Sequence, residues 1–352
     1  MLRPLCCFLF SLLFSVASYA NTAFRQLNIH EASSRPLNIA IWYPTAATGS
    51  PEKVGDNIAF YGTSALRDAA PEVGEHPLLL LSHGYGGNWR NLNWLATEMA
   101  AQGYIVAAVD HPGTTTFNKR PLDAKELWRR PQDLLRAMMK IITTPSLAGK
   151  VDTQRIAAAG HSLGGWTVLE LAGARFDAAR FQHDCRTHAR LSACKLIQTL
   201  GIDDAGGRLA ANEGDPAIKA VVSLDLGLAR GFTPESLSQI AVPVLIMAAQ
   251  ADSDELPARL ESGYLAEYLP AAVRRVVNVE GATHFSFMQQ CKPGAMALIA
   301  EKEPGEEIVC QDGGTRSRAA IHRQLARDIS AFLNQALDFQ PLSGGNPSGS
   351  YR

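Results

Sequence analysis

A series of short apolar runs, each separated from the next by residues with helical spacing, constrains this chain more than any other feature. The runs are 77–82, 104–109, 156–159, 220–224, 244–247 and 275–279. A strand with one wet face alternates apolar and polar residues, whereas a continuous run has to be covered on both faces. Leu37 to Tyr43 is an earlier strand that alternates and is stopped by Pro44. The intervening segments read as helices. Residues 91–102 carry Leu92, Leu95 and Met99 on one side, with Gly103 as a stop. Pro131 opens a helix bearing Leu134, Leu135, Met138 and Ile141, and a last helix over about 316–338 aligns Ile321, Leu325, Ile329, Phe332 and Leu337. The pattern predicts an α/β protein with a mostly parallel central sheet and helices on both faces, in one domain over 21–340. A length of 352 residues fits one large domain of this kind, and 46% hydrophobic with 19% charged residues excludes a disordered chain or a coiled coil. Lys and Arg total 33 against 34 Asp and Glu, so no basic field exists to hold nucleic acid.

The ends are set apart from that domain. Arg3, an apolar run over 5–16 and the small-x-Ala pattern Ser18-Tyr19-Ala20 predict a signal peptide over 1–20, cleaved near Ala20. The run is too short to span a membrane comfortably, so a periplasmic or secreted protein with no stable span is expected. Cys6 and Cys7 leave with the signal. Cys185, Cys194, Cys291 and Cys310 remain as two local pairs, which favours the disulfides Cys185–Cys194 and Cys291–Cys310 in an oxidising compartment. No C-x-x-C or His at ligand spacing suggests a metal. Residues 175–215 interrupt the alternation, being polar with a weak helical pattern, and are expected to form a cap-like insertion. The tail 341–352, rich in Gly, Ser and Pro, is expected to be disordered.

The chemistry centres on Gly160-His161-Ser162-Leu163-Gly164. This G-x-S-x-G lies directly after the run 156–159 and directly before a helix at 166–172. Strand, tight turn and helix are what a nucleophile elbow requires, with the serine on a strained turn and the N–H groups of the helix start beside its oxygen. A serine so placed needs a base, and in this architecture the base follows the last strand. His284 in Gly281-Ala-Thr-His284 satisfies that order. His30 and His76 come too early, His183 and His188 lie in the insertion, and His322 reads as a surface residue of the final helix. An acid should hold the imidazole. Asp252, just past 244–247, is preferred; Asp225, just past 220–224, is the alternative, and Asp254 comes third. An oxyanion would need two backbone donors. The N–H of Leu163 is one, and the loop His83-Gly84-Tyr85-Gly86-Gly87 after 77–82 offers the N–H of Tyr85 as the other.

With these residues in view, the chain resembles the α/β-hydrolase superfamily. Within it, the chain is similar to a branch of dienelactone-hydrolase-like proteins related to secreted platelet-activating-factor acetylhydrolases. The resemblance rests on Ile41-Trp-Tyr-Pro44, Leu81-Ser-His-Gly-Tyr-Gly86, the stretch 103–111, Gly160-His-Ser-Leu-Gly-Gly165, Ser223-Leu-Asp225 and Thr283-His284. The acetylhydrolase branch carries its acid where Asp225 stands, and polyester hydrolases and general esterases where Asp252 stands. Dienelactone hydrolases use a cysteine nucleophile, from which Ser162 departs.

The resemblance and the residues together imply a monomeric exported serine hydrolase of carboxylic esters, with a small-molecule or lipid ester as substrate and no cofactor. A phospholipase- or acetylhydrolase-like enzyme and a polyester hydrolase differ from this only in the pocket. A catalytically silent binding module on the same fold is the alternative from another class.

Overall fold

Leu78 to Leu81 show how the apolar runs are used. Leu78 and Leu80 enter one core and Leu79 and Leu81 the other, because successive side chains of a strand point to opposite faces. The computed structural model describes residues 21–30, 35–251, 253, 256–314 and 316–341. The signal peptide assigned to 1–20 and nearly all of the tail lie outside the described residues.

Among the described residues ten strands form one sheet: β1 (Asn21–Ile29), β2 (Leu37–Thr45), β3 (Glu52–Val54), β4 (Thr63–Arg67), β5 (Glu75–Ser82), β6 (Ile105–Asp110), β7 (Lys150–His161), β8 (Ile218–Leu224), β9 (Val244–Ala249) and β10 (Arg274–Val279). Their order is β10-β9-β8-β7-β5-β6-β2-β1-β4-β3. From β10 to β6 every neighbouring pair is parallel. The mostly parallel sheet read from the sequence is therefore present. The extension through β1, β3 and β4 was not foreseen, and it joins through antiparallel β2.

Helices α1 (Asn93–Ala101), α2 (Pro121–Ala124), α3 (Arg129–Thr143), α4 (Leu163–Leu171), α5 (Ala178–Thr187), α6 (Ser192–Lys195), α7 (Pro234–Ser238), α8 (Ser262–Tyr268), α9 (Ala295–Lys302) and α10 (Arg318–Ala336) complete the main elements. Leu95 and Met99 of α1 join Ile321, Leu325 and Ile329 of α10 over one face of the sheet. Leu134 and Met138 of α3, Trp166 of α4 and Leu265 of α8 cover the other. The chain leaves β5 for β6 on one side and returns to β7 on the other. The strand order thus reverses at β5, which puts the switch point of the sheet at the carboxyl ends of β5 and β7.

One segment takes definite form and one local expectation needs correction. Residues 175–215 are polar in composition but fold into α5, α6 and short 3-10 turns, and they bury Phe176, Phe181, Leu200, Ile202 and Leu209 beside α4. Asp177 caps α5 by accepting from the Arg180 N–H. His322, expected at the surface, is buried, because its position on α10 faces α1; its ring stacks on Trp94 at 4.0 Å.

Candidate active site

Ser162 has φ 55 and ψ −120, a region L-residues avoid, and α4 begins at the very next residue. The flanking glycines make this turn possible. A Cβ on Gly160 would stand 2.0 Å from the Gly164 carbonyl oxygen, and one on Gly164 would stand 2.0 Å from the Ser82 carbonyl oxygen. Strand β7 and α4 therefore approach each other, and the end of β5, at backbone contact distance. The loop after β5 also lies against the serine, since a Cβ on Gly84 would be 3.0 Å from Ser162 Cβ.

His284 opens a 3-10 turn, His284–Phe287, capped reciprocally by Thr283 and Ser286. Its Nδ1 lies 2.7 Å from Asp225 Oδ2. The other carboxylate oxygen of Asp225 accepts from the Ala249 N–H at 2.8 Å, so the acid is fixed from both sides. Asp225 is 4% exposed and, like Ser162, has a positive φ, of 46. His161, the residue before Ser162, donates from Nε2 to the His284 carbonyl at 2.8 Å, and the two rings lie 4.6 Å apart. Burial, reinforced by the neighbouring His284, holds His161 well below the usual histidine range, so it stays a neutral donor.

Asp225 and His284 are thus paired, and His284 touches His161, the residue next to Ser162 in the chain. Among the described contacts Ser162 has no hydrogen bond to His284. Such bonds are often long before substrate arrives. His284 pairs with Asp225, the alternative on sequence; Asp252, the preferred acid, and Asp254 lie outside the described residues. Tyr85 is half-buried on the loop after β5, and Leu163 is the first residue of α4, whose N–H has no carbonyl in the preceding turn of its own helix. Both expected disulfides are formed, Cys185–Cys194 and Cys291–Cys310. The second anchors the histidine loop, because Thr283 Oγ1 donates to the Gln311 carbonyl and Ser286 Oγ to Asp312.

A buried polar network beneath the site had no sequence signal. Ser82 Oγ lies 2.9 Å from His111 Nε2, and His111 Nδ1 lies 3.1 Å from Asp133 Oδ2. The three residue types match Ser162, His284 and Asp225, yet all are at most 1% exposed, so no substrate can reach them. Arg35 pairs with Asp133, and Arg130 touches Ser82 and the His83 carbonyl. His83 accepts the His111 N–H at Nε2 and donates from Nδ1 to the Gly84 carbonyl. Desolvation, then the Arg130 charge, keeps His83 and His111 well below the usual histidine range.

The reversed parallel sheet and the elbow at Ser162 are those of the α/β-hydrolase fold, which the chain adopts. A family described as PET hydrolase-like matches residues 54–180. Platelet-activating factor acetylhydrolase of Gallus gallus is 30% identical over 30% of this chain and 37% of its own length. Cutinase 1 of Thermobifida cellulosilytica is 25% identical over 58% of this chain and 59% of that protein. Bis(hydroxyethyl) terephthalate hydrolase of Streptomyces coelicolor is 29% identical over 33% and 34% respectively. The chain thus spans from 34% to 59% of the length of these curated relatives. Among solved structures, a ferulic acid esterase from Streptomyces cinnamoneus shares the fold, with a TM-score of 0.61 at 22% identity over 93% of this chain and 94% of that one.

Proposed function

We propose that the chain is a serine hydrolase that cleaves carboxylic esters through an acyl-enzyme. The observation that carries this reading is the 2.7 Å pairing of His284 Nδ1 with Asp225 beside the strained turn of Ser162. Ser162 Oγ attacks the ester carbonyl carbon and passes its proton to His284 Nε2. Asp225 holds the imidazole in the tautomer that leaves Nε2 free and stabilises the imidazolium that forms. The oxyanion accepts from the N–H groups of Tyr85 and Leu163. Collapse breaks the ester C–O bond, and the leaving alkoxide takes the proton from His284. Water then attacks the acyl-enzyme, gives a proton to His284, and the carboxylic acid departs as Ser162 recovers its proton.

Ester chemistry is common to what the names of the relatives describe, and the acid at Asp225 stands where the resemblance puts that of the acetylhydrolase branch. Two disulfides and the N-terminal signal pattern support action outside the cytoplasm.

A fluorophosphonate probe tests the reading, with labelling expected at Ser162 and abolished by Ser162→Ala. Folded wild-type protein that takes no label would refute it. Asp225→Asn should lower kcat by about four orders of magnitude, because the imidazole is then held in the wrong tautomer. Near-full activity in that variant would remove Asp225 from the mechanism.

A further inference from the structure

The guanidinium of Arg130 is 1% exposed, and no carboxylate is among its hydrogen-bond partners. Nε donates to Thr167 Oγ1 at 2.9 Å, Nη1 to Thr114 Oγ1 at 2.5 Å, and Nη2 to Ser82 Oγ at 3.3 Å and to the His83 carbonyl at 2.5 Å. Asp133, one turn further along α3, is engaged by Arg35 at 2.9 Å and by His111 at 3.1 Å. Burial draws the Arg130 pKa down to about 9. A buried cation whose hydrogen bonds all go to neutral oxygens, with the Asp133 charge only partly offsetting its burial, is a costly way to fill a core.

The contacts explain its retention. His83 is the last residue before Gly84-Tyr85, the segment that offers one oxyanion donor. Thr167 Oγ1, besides accepting from Arg130, donates to the Leu163 carbonyl at 2.9 Å, and Leu163 offers the other donor. Thr114 belongs to a third segment, whose carbonyl accepts the Gly86 N–H at 2.9 Å. The loop holds glycines at 84, 86 and 87, so it has few side chains of its own to pack and a large conformational entropy to suppress. An external clamp supplies what its sequence lacks.

We infer that Arg130 is a positioning residue for the oxyanion hole, one planar fork that holds the His83 carbonyl directly and the Leu163 segment through Thr167. This rests on the proposed function and adds a residue to it. Lysine, with a single point of charge, cannot span the same acceptors.

The test compares Arg130→Lys and Thr167→Val with wild type in the full chain, using p-nitrophenyl acetate turnover and inhibition by an arylboronic acid. The boronate adduct on Ser162 places an oxygen between the two donors. Losing one oxyanion donor costs about 10²–10³ in kcat, so displacing the pair in Arg130→Lys should lower kcat by about 10–100-fold. Boronate affinity should fall by the same factor, while KM stays within about threefold and the pH midpoint of kcat/KM, governed by His284, does not move. Thr167→Val should lower kcat by about 3–10-fold with the same signature. Folded Arg130→Lys with kcat within twofold of wild type overturns the inference, as does a loss of kcat without loss of boronate affinity. If Arg130→Lys does not fold, Thr167→Val decides, and kcat within twofold there overturns it. Wild type that is not labelled at Ser162 refutes the hydrolase reading and this inference with it. Labelled wild type with unaffected variants refutes this inference alone.

Discussion

Acidification from pH 7.5 to 5.5 should destabilise this fold through its buried histidines. His83, His111, His161 and His322 are each at most 3% exposed. Burial holds the first three well below the ordinary histidine pKa and draws His322 down to about 3. Their hydrogen bonds agree with the neutral form, since His83 Nε2 accepts the His111 N–H and a proton there would set donor against donor. The sign follows from where protons bind. The unfolded chain takes up a proton at each histidine near pH 6.5 and the folded chain does not, so this stability is complete above that pH and is lost as pH falls below it. One unit below its ordinary pKa, a histidine kept neutral costs about 1.4 kcal/mol, or about 5 kcal/mol for four. Glu170 acts in the opposite direction. Burial first, and then the charge of Glu213, raise its pKa well above the ordinary carboxylate range, so it returns about 1.4 kcal/mol per pH unit of acidification, at most about 3 kcal/mol here. Burial also raises Glu98, Asp110 and Glu261, which act in the same direction as Glu170, so the expected net loss is below about 3 kcal/mol. Urea unfolding followed by tryptophan fluorescence at pH 7.5, 6.5 and 5.5, at constant ionic strength, measures it. Glu170→Gln should remove its share of the compensation and enlarge the loss by up to about 3 kcal/mol. Stability that is flat or rises over this window, in the wild type and in Glu170→Gln alike, would show that these histidines are charged in the folded state.

Other perturbations separate the parts of the site. Gly164→Ala forces a Cβ to 2.0 Å from the Ser82 carbonyl and should cost about 1–3 kcal/mol, seen as a lowered thermal midpoint, while also displacing the loop after β5; an unchanged midpoint would contradict the close approach. Phe117 is 74% exposed on the segment whose Thr116 N–H bonds Gly87 beside that loop, so Phe117→Ser should raise KM for long-chain p-nitrophenyl esters by about 5–30-fold, the worth of about 1–2 kcal/mol of apolar contact, and leave acetate turnover unchanged. Closing loops with sequence separations of 9 and 19, the disulfides should contribute about 2.7 and about 3.3 kcal/mol by restricting the unfolded chain. Only Cys291→Ser with Cys310→Ser should also slow turnover, because residues 311 and 312 hold the His284 turn; equal effects of the two bridges on kcat would refute that link.

What could be read in the sequence was whatever local pattern specifies. Strand β5 announces itself because Leu78 to Leu81 must be covered on both faces, and the elbow because two glycines and a serine sit between a strand and a helix. The cysteine pairs were legible because each partner is near in sequence. The acid was ambiguous for a physical reason: Asp225 and Asp252 both follow buried parallel strands, and only strand order ranks their distances from Ser162. Strand β1 lay hidden because its residues mix buried Ala23 and Phe24 with exposed Gln26 and Asn28. The segment 175–215 shows its apolar side only once Phe176 and Phe181 have α4 to pack against. Arg130 gave no signal at all, since its partners lie 16 to 48 residues away and an arginine at a helix start is ordinarily solvated.

The strand order also explains how the strained residues are held. Ser162 and Asp225 each occupy backbone regions that cost about 1–3 kcal/mol, so each needs restraint from its surroundings. The restraint comes from the neighbouring strand in both cases. The Ser162 N–H donates to the Leu224 carbonyl at 3.0 Å, the last residue of β8, and the Asp225 N–H donates to the Met247 carbonyl of β9 at 2.8 Å. β9 acts a second time through the Ala249 N–H on Asp225 Oδ1. The elbow on β7 is therefore steadied by β8, and the acid on β8 by β9. An acid carried by β8 stands one strand from the serine, whereas one carried by β9 stands about 4.8 Å further across the sheet and needs a longer excursion to meet the same imidazole. Because β8 holds the elbow by its backbone and presents Asp225 from the next residue, any shift of its carboxyl end moves the proposed nucleophile and acid together.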